Sequence, residues 1–340
     1  MAKNWSKWIP AVAVPIVVIA AGAIVVPLSA NAAPNLPSKT PEQVLALLAG
    51  TTEDSFSGTV AVTSDLGLPS ISTGGSGSDD ANLDLLTGTH DARVYVDGAS
   101  KVRAQVLDQL AERDVVRNGT DVWLYNSDDN AVEHSTVPAK SDTTSGTETP
   151  ASIAKAVVAT LEPSSSLSVA TAQTIAGRDA YTLVLEPKAT DTLVGSIAIA
   201  VDAKTGLPLS VSATARGAND PAWQVQFSKL DLATPSASLF EFTPPADATV
   251  TEHKATEKKT AAHAAADKPT VTGTGWDAVV SVTVGDDLTK LTKSQLFTQL
   301  STAVDGGRLI STSLVNVLVT TDGKVLAGSV PVATLQDAAR

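Results

Sequence analysis

Cysteine is absent from all 340 residues. This excludes disulfides, thiolate nucleophiles, and cysteine-based zinc or iron–sulfur sites. It also excludes anchoring through a lipidated cysteine. Aromatic residues make up 4% of the chain, so a core must be assembled from Val, Leu, Ile and Ala. Positive charge is in the minority, with 24 Lys and Arg against 36 Asp and Glu, for a net −12. Phosphate backbones need clustered Lys and Arg, so nucleic acid is excluded as a partner. H-E-x-x-H, P-loop, G-x-G-x-x-G and G-x-S-x-G patterns are all missing, and no catalytic residue, metal or cofactor is expected.

What is present is an apolar, strand-rich chain. Hydrophobic residues reach 43%, too many for a disordered protein, and the length suits one large domain or two ordinary ones. Lys3 and Lys7 precede an apolar run over residues 9–28. Ser29-Ala30-Asn31-Ala32 follows and offers Ala30 and Ala32 as the small pair of a signal-peptidase site. Cleavage after Ala32 removes two lysines and no acid, taking the net charge from −12 to −14. The run is also long enough to span a bilayer as a retained transmembrane anchor. Either way the lysines stay inside and the body lies outside the cytoplasm, secreted, periplasmic or in the cell envelope.

The first element is a helix: Thr40 as N-cap, Pro41 at the first helical position, and a stop at Gly50. A strand over 56–64 and a Gly/Ser/Asp-rich loop over 70–80 come next. Hairpins are expected at Asp97-Gly98, between strands 91–97 and 101–107, and at Asn118-Gly119, between strands 112–117 and 121–125. A strand over 132–137, a polar loop over 140–150 and a helix over 150–161 complete the first half. Strands then resume at 167–174, 180–186, 195–201, 207–213 and 223–230. The pattern predicts a mainly β, α+β fold. An open antiparallel sheet of about 11 strands is covered on one face by two or three helices.

Residues 253–270 are rich in Lys, Ala, Thr and Glu and read as a linker. Beyond them, residues 271–340 suggest a small βαββα domain with strands at 276–284, 308–320 and 324–330 and helices at 293–302 and 331–339. The expected division is therefore 1–32 signal peptide or anchor, 33–252 large domain, 253–270 linker and 271–340 C-terminal domain.

Polar chemistry is sparse. His253 and His263 fall in the linker, while His90 and His134 read as solvated surface residues. The pairs Asp79-Asp80, Asp128-Asp129 and Asp286-Asp287 sit in turn-like contexts, where Asp caps and tolerates the backbone geometry. Asp128, Asn130 and Glu133 resemble a calcium loop loosely and lack its glycine. Alternation along the late strands sets Tyr181, Leu183 and Leu185 on one face. Ile197 and Ile199, Leu209 and Val211, and Trp223, Val225 and Phe227 do the same on theirs. With Trp123, these residues could fill a core or line a cavity; aromatics on strands usually pack.

Two segments carry a family likeness. Asp202-Ala203-Lys204-Thr205-Gly206-Leu207-Pro208-Leu209 is close to the D-x-x-T-G-L-P-L hairpin of RseB-like proteins. Phe240-Glu241-Phe242-Thr243-Pro244-Pro245 is similar to the F-x-F-x-P-P element that ends the same superfamily's domain. Over about residues 38–250 the chain resembles the LolA/RseB superfamily of lipoprotein carriers and sigma-factor regulators (the MucB-RseB N-terminal domain). The resemblance implies an open half-barrel whose helices close a hydrophobic cavity, with the eleven residues above as lining. It also implies an exported, non-catalytic carrier or sensor that binds a lipid or an acylated protein. The alternative is a regulator of the RseB kind, binding the outer part of a membrane-bound anti-sigma protein. A structural envelope protein without ligand is the third reading.

Overall fold

The computed structural model describes residues 34–68, 87–107, 112–136, 158–253, 269–284, 292 and 295–340. The N-terminal segment 1–32, the expected loops at 70–80 and 140–150, most of the expected helix 150–161, His263, Asp79-Asp80 and Asp286-Asp287 lie outside them, as does most of the linker. No helix among the described residues is long and apolar enough to cross a membrane.

Helix α1 spans Pro41–Ala49. Its start is fixed by a reciprocal capping box: Gln43 N–H donates to Thr40 Oγ1 at 3.4 Å and Thr40 N–H to Gln43 Oε1 at 3.0 Å. Gly50 N–H closes the other end on Ala46 O. Val44 and Leu48, one turn apart, are its buried residues.

Eleven strands follow in the order the alternation predicts. They are β1 (Ser55–Asp65), β2 (Thr87–Asp97), β3 (Lys101–Leu107), β4 (Glu112–Asn118), β5 (Asp121–Asn126), β6 (Ala131–Thr136), β7 (Ser165–Ile175), β8 (Arg178–Pro187), β9 (Val194–Asp202), β10 (Pro208–Ala215) and β11 (Pro221–Asp231). A twelfth, β12 (Thr249–His253), was not expected and pairs in parallel with β6. The strands form one open, curved sheet in the order β12-β6-β5-β4-β3-β2-β1-β11-β10-β9-β8-β7. β7 and β11 approach each other although three strands lie between them, so the sheet curls tightly at that end.

Turn details differ from the simple Asx-Gly reading. Asn118 pairs directly with Asp121, so the two-residue loop is Gly119-Thr120. Gly119 takes the positive φ of 65° and Asn118 stays in the ladder. Asp97 pairs with Lys101 around a three-residue loop that opens on Gly98, at φ 69°.

Residues 269–340 form a second sheet, β13-β14-β18-β17-β16-β15, from β13 (Thr270–Thr272), β14 (Val279–Thr283), β15 (Ser301–Val304), β16 (Gly307–Ser311), β17 (Asn316–Thr320) and β18 (Lys324–Gly328). Helices α2 (Gln295–Leu300) and α3 (Val332–Ala339) complete it. This is larger than βαββα. The segment read as one strand over 308–320 is two, because Thr312 folds a turn by accepting Leu314 N–H and Val315 N–H on Oγ1. The helices cover opposite faces: Leu335 of α3 packs with Leu318 and Leu326, while Phe297 of α2 packs with Val319.

The two sheets touch at one end of the large one. Trp276 is buried with Val194, Ala222 and Leu314. Leu193 N–H and Thr192 Oγ1 both donate to Ser329 O, each at 2.8 Å.

Candidate functional site

Register sorts the predicted cavity residues. Leu183, Ile199, Val211, Val225 and Val62 form one cross-strand row, and Leu185, Ile197, Ala213 and Trp223 form the next. Tyr181 pairs with Val201, and Phe227 with Val60. Helix α1 lies over part of this face, setting Val44 and Leu48 against Tyr181, Leu183, Leu185, Ile199 and Val201. Leu183, Leu185 and Ile199 are 0% exposed, so protein atoms fill the space around them. Ile197, Val211, Val225 and Trp223 are half-buried and continue the apolar strip beyond the helix.

The last two predicted residues differ in where they pack. A β-bulge between Pro208 and Ser210 interrupts the pairing of β10 with β9, yet Leu209 stays buried with Phe227, Val60 and Val62. Trp123 lies on the opposite face of the sheet, which follows from the unbroken pairings of β1 through β5. Its ring packs 5.5 Å from Phe242 and stacks on His134 at 3.8 Å.

The first family-like motif is the device that seats α1. Asp202, 1% exposed, accepts Lys204 N–H, Thr205 N–H and Thr205 Oγ1 on a single carboxylate oxygen at 2.7–2.9 Å. Arg178 reaches the same carboxylate with two bonds, Nε to Oδ2 at 2.5 Å and a terminal nitrogen to Oδ1 at 3.1 Å. Burial works to raise the Asp202 pKa, but the Arg178 bond and those from Thr205 and Lys204 together hold it below the usual carboxylate value. Gly206 completes the turn at φ 78°. A Cβ there would collide with Leu47 O, so the backbone of α1 rests directly on this glycine. On the other side of the helix, Tyr181 OH donates to Pro37 O at 2.9 Å and fixes the segment leading into it.

The second motif closes the other face. Phe240 is buried, Phe242 sits against Trp123 and Tyr125, and Leu239 O accepts from Arg103 at 3.2 Å. Arg103 also donates to Asp114 at 2.5 Å. Burial pushes the Asp114 carboxyl up, and the Arg103 bond offsets only part of that effect.

His90 and His134 are not the solvated surface residues expected from the sequence. His90 is buried, with Nε2 2.6 Å from Thr87 O. His134 is held between Glu252 Oε2 at 2.8 Å and Asp121 Oδ1 at 3.1 Å. Burial works against its charge, yet the two carboxylates outweigh burial and its pKa is raised. No signal in the sequence pointed to β12, the strand that brings Glu252 to this histidine. Among the described residues no three His, Asp or Glu are grouped to hold a metal ion. An open groove of about 290 Å³ beside Gly58, Thr59, Arg93, Tyr95 and Lys229 contains none of the predicted residues.

Residues 93–243 match the family described as outer membrane lipoprotein carrier protein LolA. Solved structures similar to the chain include the MucA/MucB complex of Pseudomonas aeruginosa, at 18% identity and a TM-score of 0.46, covering 88% of this chain and 96% of that one. An uncharacterized conserved protein of Thermus thermophilus is similar at 12% identity and a TM-score of 0.38, covering 62% and 98%. A LolA-superfamily protein of Nitrosomonas europaea is similar at 12% and 0.25, covering 60% and 99%. No curated protein matches. The family match runs from Arg93 to Thr243 and so takes in the first motif segment and the start of the second, Phe240 to Thr243, but neither α1 nor β1.

Proposed function

We propose that the chain is a non-catalytic binding protein working outside the cytoplasm, and that its ligand is the acyl chain of a lipid or lipoprotein taken up between α1 and the LolA-like sheet. The observation that carries this reading is the composition of that layer. Val44 and Leu48 face Leu183, Leu185, Ile199 and Val201, and the strip runs on through the half-buried Ile197, Val211 and Val225. A nine-residue helix capped by its own residues can swing away as a unit and expose this surface. Each buried CH₂ contributes roughly 0.8 kcal/mol, so a long chain supplies on the order of 10 kcal/mol before ordering costs. Residues 33–252 act as the binding domain, 271–340 as a second domain, and residues 1–32 direct or anchor the chain.

The test is mass spectrometry of organic extracts from residues 33–340, exported by the host and purified without detergent. A lipid or acylated peptide at one per protein is the expected result, reduced by Leu183→Asp. Empty protein that also fails to take up a fluorescent fatty acid would sink the reading.

A second reading, a regulator that binds the outer part of a membrane protein, is favoured by the built contact between the sheets. Trp276 is buried there and Ser329 O takes two bonds, so both sheets can present one surface to a partner. A receptor fragment bound by the whole chain and by neither half would support it.

A further inference from the structure

Strand β12 is held to the sheet unlike its neighbours. Among the described residues it is the one strand of the large sheet that pairs in parallel, and it lies at an edge. Four of its five residues are exposed, Val250 by 43%. It therefore buries little apolar surface. Its side-chain ties to β6 are polar: Glu252 with His134 at 2.8 Å, and His253 beside Glu133 at 3.3 Å. Both are partly exposed pairs, each of small worth in water, and parallel pairing is the weaker kind of ladder.

The surface beneath is better built than the strand on top of it. Val132 is 0% exposed and firmly placed in β6. His134 is stacked flat on Trp123, 3.8 Å between ring centroids, and is oriented by Asp121 of β5. Trp123 is backed in turn by Phe242. A rigid edge with a fixed imidazole thus receives a loosely held strand with a carboxylate.

We infer that the β6 edge is a strand-addition site, that β12 is its resident plug, and that an extended peptide segment of a partner protein with a carboxylate side chain facing His134 replaces it. β12 itself is the template. Such a segment pairs in parallel with residues 131–135, presents its acid where Glu252 lies, and sets a small β-branched residue where Val250 lies. Backbone pairing supplies affinity, and the His134 contact supplies register and selectivity. This inference stands apart from the acyl-chain reading, because β6 and β12 share no residue with the layer under α1.

The probe is a fluorescein-labelled peptide with the chain's own sequence 247–253, titrated into the full protein by anisotropy. The tethered strand competes at an effective concentration on the order of millimolar, so the titration extends to that range. Glu252→Ala in the protein is expected to tighten peptide binding about two- to fivefold by weakening the plug, and His134→Ala added to that variant to reverse the gain. Replacing the peptide's glutamate by glutamine should cost a similar factor. Glu133→Cys with Thr251→Cys joins two exposed residues that face each other in register. Oxidation should abolish binding and reduction restore it. Equal binding to the oxidised and reduced forms, or no binding to the Glu252→Ala protein, would overturn the proposal. Protection of the 131–135 amides by bound peptide in hydrogen exchange confirms the location, and protection elsewhere refutes it.

Discussion

The indole N–H of Trp276 donates to Ser165 Oγ at 2.9 Å, and Ser165 Oγ donates onward to Leu161 O at 2.6 Å. Residues 111 positions apart thereby join the second sheet to the start of β7 and to the helical turn that precedes it. Gly275 makes the approach possible, since a Cβ there would collide with Ser164 Oγ. Anything that moves residues 158–165 relative to the large sheet must break this contact or carry the second sheet along.

Trp276→Phe keeps most of the packing and removes the donor, and should cost about 0.5–1.5 kcal/mol. Trp276→Ala empties the pocket among Val194, Ala222 and Leu314 and should cost about 3–5 kcal/mol. Urea unfolding measures both. Faster amide exchange at Leu193 in the alanine variant, with β2 and β3 unchanged, would locate the loss at the joint.

Gly206→Ala and Gly119→Ala form a matched pair. Both glycines have positive φ, 78° and 65°, so each substitution carries a conformational cost of about 1–2 kcal/mol. A Cβ at Gly119 meets nothing within 4 Å, whereas at Gly206 it meets the α1 backbone. Gly206→Ala should therefore destabilise the protein more and release α1, visible as exchange of its amides. Equal costs would mean that the helix does not bear on the turn.

Asp202 governs acid stability. Its folded pKa is lowered, so its contribution is present above the ordinary carboxylate value of 3.8 and is lost as pH falls through the folded value. Asp202→Asn should remove that segment of the acid-unfolding curve. It should also cost about 3–5 kcal/mol at pH 7, because Arg178 is left without its carboxylate.

His134 acts in the opposite direction. Its folded pKa is raised, so its stabilising contribution is complete below the ordinary value of 6.5 and fades as pH climbs through the folded value. The groups facing it are Asp121 on β5, Glu252 on β12 and the ring of Trp123, with the Glu133–His253 pair alongside. Hydrogen exchange of β12 should accelerate in the native protein as pH rises above 6.5 and through the folded value, beyond the intrinsic rate change. In His134→Gln that pH dependence should vanish.

Helix α1 and the eleven antiparallel strands were legible because their information is local. Thr40, Pro41 and Gly50 mark α1 whatever it packs against, and alternation marks strands from Phe56 to Leu230. Facing was legible wherever the ladder is regular, as at Leu183, Ile199, Val211 and Val225. At Leu209 a bulge that no periodicity announces shifts the pairing with β9, while the residue still packs with Phe227 and Val62. Facing failed for Trp123, whose partner Phe242 arrives from more than 100 positions away. The residues of β12, four of the five exposed, have no pattern of their own and become a strand by virtue of the β6 edge.

The sequence by itself determined that the protein has no thiol chemistry, that its large sheet is antiparallel and aliphatic, and that Asp202-x-x-Thr-Gly makes a tight hairpin. Short-range sterics and hydrogen bonding suffice for each. The tertiary structure alone decided that this hairpin carries α1 on Gly206, that Trp276 ties the second sheet to Ser165, and that His134 meets Glu252. These contacts join segments distant in the chain, and their existence depends on the curvature and register of the whole sheet.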